Sequence, residues 1–208
     1  MAGINSFIQK IGEGVKPNMF LVQIPFPGGK EDDLTNLLCK STALPASNLG
    51  VIEVPFRGRT VKIVGDRTFD TWSATFFNDK DMKIRSKFES WLASMNSHEP
   101  NTAPLFEPSE SDGYMQKMIV QQLRKDGTAG DDATGKGNTV LREYTLRHAF
   151  PTSISQIDLA YDSNDQIEEF TVEFQYSYWT VTGGNSNTAD SNLWFSDLIN
   201  SSSGNLDQ

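Results

Sequence analysis

The sequence is poor in the residues that carry most enzyme chemistry. Among 208 residues there is one cysteine, Cys39, and there are two histidines, His98 and His148. A lone cysteine forms no internal disulfide, which fits assembly in a reducing cytoplasm. So few thiols and imidazoles cannot build a Cys/His zinc cluster within one chain. No apolar run approaches the ~18 residues that would span a bilayer as a helix. The stretch Met1 to Lys16 lacks the apolar core of a secretory signal. The most uneven shortage is of positive charge. All 18 Lys and Arg lie within residues 1–147, where 18 acids balance them. Residues 148–208 hold no Lys or Arg and nine acids: Asp158, Asp162, Asp165, Glu168, Glu169, Glu173, Asp190, Asp197 and Asp207. The whole net charge of −9 therefore sits in the last 61 residues. A protein that grips DNA by its phosphates carries a basic patch, so that mode of binding is not expected.

What is present is enough for a core. Hydrophobic residues make up 37% of the chain and aromatics 11%, which excludes disorder over most of its length. The length suits one domain, read as residues 1–180 with an arm at 1–16, followed by a Ser/Asn-rich tail at 181–208. In the arm, Ile4, Phe7, Ile8 and Ile11 fall at helical spacing and need a partner. Residues 18–26 read as a strand stopped by Pro25, Pro27, Gly28 and Gly29. Leu34 to Thr42 read as a second strand. Residues 46–67 read as a long hairpin with Gly58 in its middle.

Phe69 to Phe77 alternate as a strand, with Trp72, Ala74 and Phe76 on one face. Asn78-Asp79 then offer a cap to a helix over 80–95, whose Met82, Phe88, Trp91, Leu92 and Met95 share a side. Residues 114–125 read as strand or helix, with strand preferred because a β-like run at 139–149 follows a flexible tip at 126–138, and 98–113 read as a Pro-rich loop. The last two expected strands are 154–162 and 167–179. On the first, Ile157, Leu159 and Tyr161 alternate with Asp158 and Asp162. On the second, Phe170, Val172, Phe174, Tyr176 and Tyr178 alternate with Glu169 and Glu173. One side of that pair would cover a core and the other would meet water.

Motifs of chemistry are weak. Gly130 to Lys136 has the spacing of a phosphate-binding loop, but Gly137 stands where a Ser or Thr would hold Mg²⁺. Asp162-Ser163-Asn164-Asp165 lacks the central glycine and the ligand spacing of a calcium loop. Glu169 and Glu173 would lie about 13 Å apart along a strand, too far for a hydrolytic carboxylate pair. No Ser/His/Asp order is visible. No catalytic residue, metal site or cofactor is expected.

Several segments together resemble the tail tube proteins of contractile-tailed, T-even-like bacteriophages. They are Lys16-Pro17-Asn18-Met19-Phe20, Cys39 to Pro45, and Val54-Pro55-Phe56-Arg57-Gly58-Arg59 running into Val64 to Trp72. The last runs from Phe150-Pro151-Thr152 through Leu159 to Asn164, then Phe170, Phe174, Tyr176 and Trp179. The order and spacing fit across residues 16–180. The resemblance implies a mainly β fold, a β-sandwich or barrel with one flanking α-helix. Six copies would form a hexameric ring, one sheet from each joining an inner β-barrel. Stacked rings would make a tube in the virion, inside a contractile sheath, assembled in the host cytoplasm. Implied partners are other copies of the chain and the tail sheath, baseplate, tail terminator and tape measure proteins. Double-stranded DNA would pass through without specific binding, and no membrane is involved. A tube subunit of a phage-tail-like bacteriocin or type VI-like injection system is the alternative. Under the tube reading, Asp158, Asp162, Glu169 and Glu173 are expected to face the lumen. The hairpin segment Pro55-Phe56-Arg57-Gly58-Arg59 is expected to make the ring-to-ring contact.

Overall fold

A computed structural model describes residues 3–12, 14–28, 33–97, 110, 113–124, 139–162 and 165–182. The expected tip at 126–138, most of the 98–113 loop and the tail after 182 lie outside the described residues. Nine strands and three helices occur among the described residues. In chain order they are α1 (Ile4–Ile11), β1 (Phe20–Gln23), α2 (Asp33–Leu38), β2 (Cys39–Thr42), β3 (Asn48–Phe56) and β4 (Arg59–Thr68). Then come β5 (Trp72–Phe77), α3 (Lys83–Met95), β6 (Gln116–Arg124), β7 (Thr139–Ile154), β8 (Glu169–Gln175) and β9 (Tyr178–Thr182).

Seven strands form one antiparallel sheet in the order β1-β6-β7-β8-β5-β2, with β9 also paired to β7. The 16-residue β7 joins its two halves. Its earlier part pairs with β6 and β9, and its last five residues pair with β8. The changeover falls at His148, whose φ of 54° breaks the regular strand. Glu110 fixes that corner. One carboxylate oxygen accepts the His148 N–H at 2.6 Å, and the other takes the Arg147 guanidinium at 3.1 Å.

Both halves feed one core. Val22, Met118, Val120 and Leu146 come from the first half; Trp72, Ala74, Phe76, Phe170, Val172 and Phe174 come from the second. The alternation expected for β5 and β8 is what delivers these residues inward. Helix α3 adds Ile84, Phe88 and Trp91. Phe88 sits at the centre, with ring centroids 5.0 Å from Phe26, 5.3 Å from Phe76 and 5.9 Å from Phe174. The helix begins at Lys83 rather than at residue 80. Asp79 still serves its N-terminus, accepting the Ile84 N–H at 3.3 Å from outside the first turn. Met82 is therefore outside the buried face and stands 44% exposed.

Three expectations need correction. Residues 34–42 are not one strand, because Thr35 and Leu38 turn inward one helical turn apart, giving α2 before β2. Residues 155–162 form no strand. The β8 they would pair with already has β7 on one side and β5 on the other, so it offers no free edge. Residues 167–179 form two strands rather than one. At Ser177 the backbone N–H turns to the Arg147 carbonyl at 3.0 Å and begins β9. That shift exposes Tyr178 and sends Trp179 toward the core instead. The single expected helix is joined by α1 and α2, of which α1 is the expected arm.

Candidate assembly surfaces

The β3–β4 hairpin forms a separate two-stranded ribbon, and every residue of β3 is exposed. Its strands are long because the segment is rich in Val and Ile. Its turn is tight because Arg57 and Gly58 both take positive φ, 47° and 81°, as a two-residue hairpin loop needs. Near the root the backbones almost touch. A Cβ on Gly65 would lie 3.1 Å from the Gly50 carbonyl carbon, beside the register shift at Leu49/Val51.

Directly paired residues project to the same side of a ribbon, so the register sorts the two faces. One face carries Ile52 opposite Ile63, Val54 opposite Val61 and Phe56 opposite Arg59. The other carries Val51 opposite Val64, Pro55 opposite Thr60, and a Glu53–Lys62 ion pair at 3.5 Å. The first face is apolar and uncovered. An isolated two-stranded ribbon is marginal in water, so this shape calls for a partner surface. Pro55 to Arg59 form its tip. There the Arg57 guanidinium lies 5.3 Å over the Phe56 ring.

The outward face of β5 and β8 is polar. Glu169 and Glu173 both lie on it. Thr75 and Thr171 hydroxyls meet at 3.0 Å, and the Gln175 amide donates to the Thr71 hydroxyl at 2.7 Å. Glu169 is not a free charge. Lys40 reaches over from β2 and its Nζ lies 2.6 Å from Glu169 Oε2. The sequence shows no cation in β8, but strand order supplies one from another strand. Glu173 has no ion pair among the described residues. Asp158 and Asp162 are not carried by β5 or β8. They belong to the segment after β7, outside any strand.

That segment makes an open groove of about 990 Å³ at the far end of β5 and β8. Phe77, Leu159, Tyr161 and Ile167 line it, together with Asp158, Asp165, Glu168 and Glu169. Leu159 is 81% exposed and Tyr161 fully so. The alternation of 157–161 belongs to this rim rather than to a core. A second uncovered feature is α1, whose Ile4, Phe7, Ile8 and Ile11 all stand exposed. Cys39, by contrast, is withdrawn: burial pushes its thiol up to about 12. Burial, with Asp70 nearby, also raises Tyr176, whose hydroxyl donates to the Ala46 carbonyl at 3.3 Å.

The profile of the phage tail tube protein family matches residues 15–182, which takes in every strand among the described residues and leaves out α1. The chain is 33% identical over 168 residues to the tail tube protein gp19 of Enterobacteria phage T4, covering 81% of this chain and 92% of that one. It is 29% identical over 183 residues to the tail tube protein of Serratia phage KSP90, covering 85% and 95%. Solved structures share the fold at low identity. A chain from the sheath/tube terminator of an extracellular contractile injection system in its extended state superposes with a TM-score of 0.55 at 15% identity, covering 81% and 96%. A chain from the anti-feeding prophage baseplate gives 0.54 at 14%, covering 80% and 94%.

Proposed function

The chain belongs to the phage tail tube protein family, and from that premise we propose that it builds a contractile-tail tube. Six copies close into a ring, rings stack inside the sheath, and double-stranded DNA passes down the bore. The chain acts as a conduit and not as a catalyst. The sheath, baseplate, tail terminator and tape measure proteins are its partners in the virion, with assembly in the host cytoplasm. The phage reading is favoured over an injection-system tube because substantial identity runs to phage proteins, whereas the injection-system chains share only the fold.

The observation that carries this reading is the uncovered β3–β4 ribbon. A monomer has no use for about 30 Å of apolar ribbon held away from its core. The sheet supports the same conclusion, since β1 and β2 end it with edges unpaired among the described residues. Joining sheets around a ring closes such edges. The outward face of β5 and β8 then lines the bore, with Glu169 and Glu173 toward the DNA. A bore without free cations makes no phosphate contacts and so sets no salt-dependent trap.

Negative-stain imaging of the purified, concentrated protein tests the proposal, with rings and tubes expected. Deleting residues 55–59 is expected to stop growth at rings or monomers, and long tubes from that deletion would overturn the ring-to-ring role. Glu173→Lys, alone or with Glu169→Lys, is expected to leave tubes intact and to impair genome delivery. Normal delivery would remove these residues from the bore.

A further inference from the structure

Strands β5 and β8 lie side by side, and two unlike features occupy their opposite ends. The ribbon is rooted at the Trp72 end of β5. Strand β4 stops at Thr68, and the Asn48 amide at the start of β3 donates to Asp70 at 2.7 Å. The groove lies at the other end, against Phe77, the last residue of β5, and Glu169, the first of β8. Every residue of the two strands except Gly65 is exposed, so the ribbon stands clear of its own sheet instead of folding back along it.

The two features are also chemically opposite. The tip offers Phe56 and two arginines, Arg57 and Arg59. Neither arginine makes an ion pair among the described residues. The groove offers uncovered Leu159, Tyr161 and Ile167 beside Asp158 and Asp165, which likewise have no ion pair among the described residues. Among the described residues the Asp158 carboxylate accepts a long hydrogen bond from the Gln156 amide, 3.3 Å. Two guanidiniums and two carboxylates, each without an ion pair among the described residues, thus match, and one aromatic matches an apolar rim. Arginine suits such a site because its planar fork pairs with carboxylates and its face stacks on rings.

We infer, building on the tube reading, that the hairpin tip of one subunit seats in the Asp158/Asp165 groove of a second copy. Phe56 fills the rim of Leu159, Tyr161 and Ile167, and Arg57 and Arg59 meet the aspartates. The contact is heterologous, since each copy has a plug at one end of β5 and a socket at the other. Contacts of that kind propagate head to tail and set a single polarity for stacking. The groove is therefore the receptor for the ring-to-ring contact, and Asp158 serves assembly and not the bore.

Charge exchange tests this. R57E/R59E and D158R/D165R are each expected to raise the protein concentration needed for half-assembly about tenfold or more, read by sedimentation and checked by imaging. Combining all four changes is expected to return it toward the wild-type value. Circular dichroism confirms that each variant is folded. Wild-type assembly of D158R/D165R, or no rescue in the combined variant, would overturn the groove assignment while leaving the tube standing. Failure of the unmodified protein to form any ring or tube would instead sink the tube reading itself. A second measurement does not depend on tolerance of reversed charge. R57C/D165C, oxidised as assembled tubes, is expected to give a ladder of covalent oligomers, whereas each single cysteine stops at dimers. No ladder from oxidised tubes would refute the contact.

Discussion

Replacing the opposed pair Ile52 and Ile63 with serine is the sharpest test of the ribbon's apolar face. In the free subunit these side chains are 54% and 52% exposed. Full burial of such a side chain stabilises by about 1.5–3 kcal/mol relative to exposure. Half of that gain is still unspent in the monomer, about 0.8–1.5 kcal/mol per residue. Covering both in a tube therefore contributes about 2–3 kcal/mol per ribbon, and losing it weakens each contact roughly 30- to 150-fold. The half already covered lies against the facing strand of a ribbon separate from the core sheet, so its loss frays the ribbon locally and barely moves global unfolding. I52S/I63S should thus unfold in urea at the wild-type midpoint while tube formation, followed by sedimentation against concentration, shifts strongly upward. An unchanged assembly curve would mean that this face stays wet in the tube. A fall in the urea midpoint as large as the assembly penalty would mean that the ribbon packs within its own chain. Either result refutes the reasoning.

The remaining predictions concern the body. Phe88→Ala, at the centre of the aromatic cluster, should cost about 3–5 kcal/mol in urea unfolding, a large share of the roughly 5–15 kcal/mol typical of a domain. Glu110→Ala should cost about 2 kcal/mol by the same assay, since it frees the His148 N–H and the Arg147 guanidinium together. The Cys39 thiol should resist iodoacetamide at pH 8 in the folded chain and react readily in urea. Folding raises that thiol from about 9 to about 12, so the folded state holds the proton longer than the unfolded one. Its contribution is therefore complete below pH 9 and is lost between pH 9 and 12, a slope that Cys39→Ala should remove from the urea midpoint.

Local pattern made some elements legible and left others hidden. Alternation located β5 and β8, because each buries one face against the same core. The hairpin was legible from its β-branched runs around Arg57-Gly58. The same alternation misled at 155–162, where Ile157, Leu159 and Tyr161 repeat with a strand's period but meet no free sheet edge. Pairing is a property of the whole sheet, and a segment does not announce whether its partner is already taken. The break at Ser177 was hidden for a related reason: only β7, more than 20 residues earlier in the chain, supplies the carbonyl that begins β9. The polar face of β8 was readable, whereas its partner Lys40 was not, since β2 and β8 are far apart in sequence and are brought together only by β5. The groove had one visible signal, three large apolar residues set among carboxylates without a cation nearby.

Charge, on this reading, does two separate jobs in the final third of the chain. A bore that conducts a duplex gains little from dense negative charge, because repulsion from every wall resists entry as much as it prevents adhesion. The outward face of β5 and β8 has the composition that avoids both problems. It carries hydroxyls and amides that hold water, one carboxylate already neutralised by Lys40, and Glu173 as its unpaired charge among the described residues. The acids that look surplus to that face collect at the opposite end of the sheet from the root of an arginine-tipped ribbon. Carboxylates there steer the tip toward the groove and exclude an inverted subunit, which would set groove against groove and acid against acid. A tube must be smooth inside and directional along its length. Placing the neutral polar surface on the strands and the unpaired aspartates at their ends meets both demands with one short stretch of chain.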